Sequence, residues 1–295
     1  MRVTQTMLSR NFLNNLSNNY DKLGKLQDQI ASQKKINKPS DDPVVAMQGI
    51  NYRTNLQEIQ QYKRNFSEAH DWLDNADSAL DEATQAMQRI RELTVEASNG
   101  SLEDNQRKSI ATEITQLRDH LVEVANTKVG NKYIFNGTDT VTKPVDLSTN
   151  PPTFSTNNNP VNIELAKGIS LKVNPDTSVF SGQQSGDLFF DLNNLINDLN
   201  SSNPSNIGGY LDKLDQATNK ITNERASLGA VSNRIDLMET RNGEQEVTAT
   251  KMMSDNEDAD LDKVITYFIA QQSAFRAALG VGASIIQPTL LDFLK

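Results

Sequence analysis

From Ile59 to Ala97 the chain places an apolar residue at alternating steps of three and four. The series is Ile59, Tyr62, Phe66, Ala69, Leu73, Ala76, Leu80, Ala83, Met87, Ile90, Thr94 and Ala97, with Thr94 the one polar member. No Gly or Pro falls between Ile50 and Asn99. A 3.5-residue repeat held this long predicts a single helix with one buried seam. Counted from Pro43 it would run for about 55 residues, or roughly 80 Å at ~1.5 Å per residue. One edge of the seam carries large residues and the other mostly Ala, which lets a partner helix come close. A helix of that length makes a structural element the first expectation.

Other segments repeat the period. Leu13, Leu16, Tyr20, Leu23, Leu26 and Ile30 share one face of a helix expected from about Thr4 to Gln33. A turn at residues 37–43 follows, with Ser and Asp suited to an N-cap and Pro43 to the first helical turn. Asn99-Gly100 is a stop signal, and Ser101 with Asp104 resembles a capping box. The helix it would open carries Ile110, Ile114, Leu117, Leu121 and Val124, and the short link predicts an antiparallel hairpin. Helix returns from Ile207 with Leu211, Leu214, Ile221, Leu228, Ile235 and Met238, and Gly243 is expected to be a weak point. A last helix carries Leu261, Ile265, Phe268, Gln272, Phe275, Leu279 and Ile286, with Pro288 ending or kinking it.

Residues 130–209 differ. They hold 7 of the 14 Gly and 6 of the 9 Pro. Period-2 alternation in Val161–Leu165 and Ile169–Val173 predicts strands, and Leu188, Leu192, Leu195 and Leu199 a short helix. The expected fold class is therefore mainly α, a long helical hairpin or coiled-coil bundle with a small β-rich insertion. The expected divisions are residues 1–40 with 255–295, residues 41–137 with 207–254, and an inserted segment at 138–206.

Composition narrows the function. The chain has 295 residues, no Cys, two His and a net charge of −9. Disulfides and thiolate metal sites are excluded, and the acidic balance argues against nucleic acid as a partner. Residues 1–40 carry seven Lys or Arg against Asp21 and Asp28, which reads as a solvated helix face because apolar residues interleave with the charges. No apolar run approaches the ~20 residues of a membrane span. The first fifteen residues lack the apolar core of a signal peptide, so any export would use another route.

Candidate chemistry is sparse. Asp258, Asp260 and Asp262 match the first half of a calcium loop, but Lys263 stands where Gly is needed and Ile269 where Glu is needed. These acids, with Asp255 and Glu257, read as a solvated loop before a helix start, where negative charge is favourable. His70 and His120 are too few for a His-based metal centre. No phosphate-binding glycine loop or nucleophile motif occurs. The expectation is no catalytic residue, no metal and no cofactor.

Four segments carry a resemblance. Residues 33–43, QKKINKPSDDP, resemble the SGxRINxAxDDAAG segment of bacterial flagellins. Residues 90–100, IRELTVEASNG, resemble their IRELAVQASNGT segment almost residue for residue. Residues 110–114 match an IQxEI portion, and residues 228–235, LGAVSNRI, resemble LGAxxNRL. In this order these are specific, and they cover roughly residues 1–137 and 210–295. Residues 130–137, GNKYIFNG, and the ending PTLLDFL at 288–294 look like the hook-associated branch of that family rather than flagellin proper, with Asn136 in place of Ser.

The resemblance implies a structural subunit at the junction of flagellar hook and filament. It implies export through the flagellar type III apparatus without a cleaved signal, and an extracellular place on the bacterial flagellum. The implied partners are further copies in a ring layer, the other hook-associated junction protein, flagellin, and a cytoplasmic chaperone on the C-terminal region. Nucleic acid and a membrane span are not expected. Flagellin itself, or a non-flagellar coiled-coil scaffold, are the rival readings. The expected assembly interface is the apolar face of the two ends: Leu13, Leu16, Tyr20, Leu23, Ile30, Ile265, Phe268, Phe275, Leu279, Ile286, Leu290, Leu291 and Phe293. An apolar tail at a free terminus needs something to bury it.

Overall fold

The computed structural model describes residues 5–99, 102–149, 152–201 and 207–286. In chain order the helices are α1 (Gln5–Ser32), α2 (Pro43–Ala97), α3 (Asp104–Ala125), α4 (Leu188–Asn200), α5 (Gly209–Glu257) and α6 (Leu261–Ile286). Three antiparallel two-stranded sheets lie between α3 and α4 in sequence. They pair β1 (Lys128–Val129) with β2 (Lys132–Tyr133), β3 (Val145–Asp146) with β4 (Thr153–Phe154), and β5 (Asn162–Ala166) with β6 (Ile169–Lys172). The architecture is mainly α with a small β-rich middle, as the hydrophobic pattern predicts. No helix of the described residues is long and apolar enough to cross a membrane.

The chain divides into two compact units. Unit 2 is Ile59–Glu244. Every large member of the α2 seam from Phe66 to Ile90 is buried there, and Thr94 is buried too, its hydroxyl donating to the Ile90 carbonyl at 2.7 Å. The seam is wider than the sequence suggests: Trp72, Ala79, Ala86 and Leu93 form a second buried row. Its partners are intramolecular. Ile110, Ile114 and Leu121 of α3 and Leu214, Ile221, Leu228 and Ile235 of α5 belong to the same apolar cluster. Rim charges tie the helices, with Arg91 on Asp215 at 2.6 Å, Arg225 on Asp77 at 2.9 Å and Arg89 on Glu113 at 2.8 Å.

The same cluster continues through Ile163, Leu165, Leu171 and Val173 of the strands and Leu188, Leu192, Leu195 and Leu199 of α4. Phe135 meets Phe180 edge to face at 4.9 Å. Buried Asn136 donates to the Thr142 carbonyl at 2.9 Å and accepts from the Ser155 hydroxyl, so this amide pins two loops. Gly137 beside it has φ +53, and a Cβ there would lie 2.3 Å from the Asn157 carbonyl oxygen; this position requires glycine.

Three local expectations are corrected. First, α3 begins at Asp104, so the cap is not Ser101 with Asp104. Glu103 precedes the helix, and its N–H donates to Gln106 Oε1 at 3.1 Å; Ser101 lies outside the described residues. Second, α5 runs through Gly243 without a break. Third, Asp255 and Glu257 belong to the last turn of α5 rather than to a loop, and the link to α6 shrinks to Asp258–Asp260. The expected cap before α2 is present: Asp42 Oδ1 accepts from the Val44 and Val45 N–H groups at 3.0 and 3.2 Å.

Unit 1 is Met1–Glu58 with Gln245–Lys295. It contains α1, the start of α2, the end of α5 and α6.

Candidate assembly surface

Within unit 1, α1 and α6 pair along their length. The pairing is antiparallel. Phe12 packs on Gly282, Asn19 accepts from Gln271 Nε2 at 3.1 Å, the Tyr20 and Phe275 rings lie 6.0 Å apart, and Lys34 reaches Asp258 at 2.6 Å. Gly282 is what permits the closest of these contacts, since a Cβ there would sit 2.3 Å from the Phe12 ring.

Two helices cannot enclose a face as wide as these carry. Leu16, Leu23 and Ile30 of α1 and Phe268 and Phe275 of α6 are half-buried, whereas Leu13 and Tyr20 are 54% and 65% exposed. Ile265 and Leu279 are exposed as well. The structure therefore brings together part of the expected interface and leaves the remainder facing outward. The side chain of Ile286, and Leu290, Leu291 and Phe293, lie outside the described residues.

The exposed apolar set also extends beyond the expected residues. Tyr267 and Ile269 on α6, Val44, Met47 and Ile50 at the start of α2, and Val247 near the end of α5 are all more than half exposed. Val44, Met47 and Ile50 repeat at a three-residue step, a signal overlooked because the long seam begins only at Ile59. Among the described residues, the buried apolar side chains of unit 1 are Ala249 and Val264. Between α1 and α6 an open groove of about 540 Å³ is lined by Lys22, Lys25, Leu26, Gln29, Tyr267, Ala270, Gln271 and Ala274.

A polar clasp fixes the base of this pair. Gln33 takes φ +60 and turns the chain out of α1. Residues 33–35 then run antiparallel to 257–259, with the Lys35 N–H donating to the Glu257 carbonyl at 2.7 Å and the Ala259 N–H to the Gln33 carbonyl at 2.9 Å. Glu257 is 3% exposed. Its carboxylate accepts from Arg53 Nη2 at 2.7 Å and lies 3.6 Å from Lys34 Nζ. Gly49 makes room, because a Cβ there would lie 2.7 Å from Glu257 Oε1. Asn256 Nδ2 donates to the Val45 carbonyl at 3.1 Å.

The electrostatics follow from these contacts. The Lys34 ammonium, then the Ser254 hydroxyl, hold the Asp258 carboxyl below its usual range, and the bond to Asp258 raises Lys34. The bond to Glu257 raises Arg53. The incomplete calcium pattern is spent on cations of the protein: Asp258 pairs with Lys34, and Asp260 pairs with Lys263 at 3.1 Å while capping α6 through the Lys263 N–H at 3.3 Å. Each charge in the clasp is committed to a partner, so its chemistry is that of a fastener.

These ends of the chain are the parts that known families describe. Residues 3–140 match the bacterial flagellin N-terminal helical region, and residues 211–294 match the bacterial flagellin C-terminal helical region. Flagellar hook-associated protein 3 of Escherichia coli is 28% identical over 311 residues, spanning 94% of this chain and 95% of that protein. Flagellin of Bacillus subtilis is 26% identical over 248 residues, spanning 80% of each. Among solved structures, the flagellar junction protein FlgL from Legionella pneumophila shares the fold with a TM-score of 0.58 at 18% identity, over 72% of this chain and all of that one. The two helical-region matches, in order and flanking the β-rich middle, settle the family: this chain belongs to the bacterial flagellin family.

Proposed function

We propose that the chain is a structural subunit of the bacterial flagellum that forms the hook–filament junction layer, on which the flagellin filament assembles. The observation that carries this reading is the apolar face left open by the α1–α6 pair, on a chain whose likeness to a hook-associated protein extends nearly from end to end while its likeness to a flagellin stops short. Each large apolar side chain contributes ~1.5–3 kcal/mol once fully covered. Copies in a ring cover one another, so binding is cooperative. In this proposal residues 1–40 with 255–295 are the assembly part, 41–137 with 207–254 the rod, and 138–206 the outward insertion.

Leu13, Tyr20, Ile265 and Leu279 face neighbouring copies, joined by Ile286, Leu290, Leu291 and Phe293. The other hook-associated junction protein and flagellin lie above and below the layer. The subunit travels through the type III export apparatus without a cleaved signal, accompanied by a chaperone on its C-terminal region, and works outside the cell. Its role is mechanical and uses no catalysis.

Deletion of the gene tests the reading. Cells with hooks, no filaments, and monomeric flagellin shed into the medium are the expected result. Hooks with nothing shed, or purified protein that polymerises alone into long filaments, would overturn it in favour of flagellin.

A further inference from the structure

Among the described residues, one group of side chains converges as metal ligands do: His70 on α2 with Asp236 and Glu239 on α5. It lies in unit 2 and has no part in the assembly surface. We propose that it is a zinc site that clips α2 to α5.

The geometry carries the argument. His70 Nε2 lies 3.1 Å from Glu239 Oε2 and 3.7 Å from Asp236 Oδ1, and the three ligand atoms are all within 4.8 Å of one another. Two ligands on a tetrahedral zinc with bonds of about 2.0–2.1 Å sit roughly 3.3 Å apart. The observed spacings bracket that edge, so an ion can enter with small rotations of side chains. Asp236 and Glu239, three residues apart on α5, present both carboxylates on one face. A simple ion pair needs one of them; here two approach the same nitrogen.

Chemistry selects the metal class. One imidazole nitrogen and two carboxylates suit zinc, which accepts four ligands and leaves the fourth position to water. Calcium and magnesium call for more oxygen ligands than this group offers. Neutral imidazole with two carboxylates carries the charge that balances a divalent ion. His70 is half-buried and both carboxylates are exposed, which gives an entry path. Sequence signals miss such a site because His70 and Glu239 are 169 positions apart and only one ligand is a histidine.

The test uses the full chain, stripped with chelator and titrated with zinc chloride. The expected results are one zinc retained per chain after dialysis, and a rise in the melting temperature of unit 2 of about 5–11 °C at zinc 100-fold above its dissociation constant. Cobalt(II) in place of zinc should give the visible absorption of a tetrahedral site. His70→Gln keeps a hydrogen-bonding group toward Glu239 and should abolish all three effects while the chelator-treated protein melts as wild type does. Asp236→Asn with Glu239→Gln should do the same. No zinc-dependent shift in the wild type, or a shift of equal size in His70→Gln, would overturn the proposal.

Discussion

Among the described residues, unit 2 hides Phe66, Leu80, Met87, Ile90, Phe135 and Phe189 completely, while unit 1 buries little more than Ala249 and Val264 and exposes Tyr20, Met47, Tyr267 and Ile269. Both are built from the same helices read at the same period. The difference is in how many elements share each seam. In unit 2 the α2 stripe shares one apolar cluster with α3, α5, α4 and the β-rich middle, and both rows of its face are buried. In unit 1, α1 has α6 and an ionic clasp, and the outer part of each face has no cover among the described residues. A unit that saves its apolar surface for other molecules should tolerate changes there that a finished core does not.

The sharpest way to break the comparison is a matched pair of variants. Phe66→Ala should cost unit 2 about 3–5 kcal/mol, visible in calorimetry as a large fall in its melting temperature. Phe268→Asp with Phe275→Asp should leave that transition in place and abolish co-assembly in sedimentation with partner proteins. If the double variant also loses the main transition, the two units are not energetically separate.

Next in size is the clasp. Glu257→Ala removes the acceptor for Arg53 and a neighbour of Lys34. A hydrogen bond to a charged group is worth about 1.5–3 kcal/mol. The freed cations can hydrate, since the Arg53 and Lys34 side chains are 60% and 36% exposed, so the cost stays below the about 3–5 kcal/mol of breaking a fully buried pair. Amide exchange at Lys35 and Ala259 should accelerate roughly tenfold or more, as about 1.4 kcal/mol implies, with exchange in α3 unchanged.

Acid probes the same place more gently. The Asp258 carboxyl is held below its ordinary value of 3.8. A depressed carboxyl stabilises above the unfolded value and loses that contribution as pH falls through the folded one. Lys34, raised above 10.5, stabilises below that value and loses its contribution as pH rises through the folded one. The clasp should hold from about pH 4 to pH 10 and loosen outside that window, with exchange at Ala259 as the reporter. Asp258→Asn should flatten the acid limb. An acid limb that persists unchanged in Asp258→Asn would assign it to other carboxylates.

Much of this was legible because it is periodic. The α2 seam, the faces of α1 and α6, the strands at Val161–Leu165 and Ile169–Val173, and α4 all repeat long enough to be counted. Strands β1 to β4 have two residues each, too few to show a period of two. The clasp was invisible for another reason. Lys34 and Asp258 are 224 positions apart, and nothing local marks either as half of a pair. The apolar faces of the terminal helices were readable as pattern, but which part of them would remain exposed depended on how much α6 could cover.

The smallest effect separates the units by glycine. Gly243 lies inside α5 in unit 2, with nothing within 4 Å of where a Cβ would stand. Gly243→Ala should therefore stabilise by about 0.5–1 kcal/mol, because alanine gives up less backbone freedom on folding. Gly282 in unit 1 is also helical, yet a Cβ there would meet the Phe12 ring at 2.3 Å. Gly282→Ala gains the same helical preference and must displace the Phe12 ring from its seat on α6 to realise it. The first variant should raise the melting temperature of unit 2 by a few degrees. The second should leave that temperature unchanged and speed amide exchange around Phe12. Protection around Phe12 that survives Gly282→Ala would mean that the contact between the terminal helices is loose already, and that their order comes from neighbours rather than from the pair.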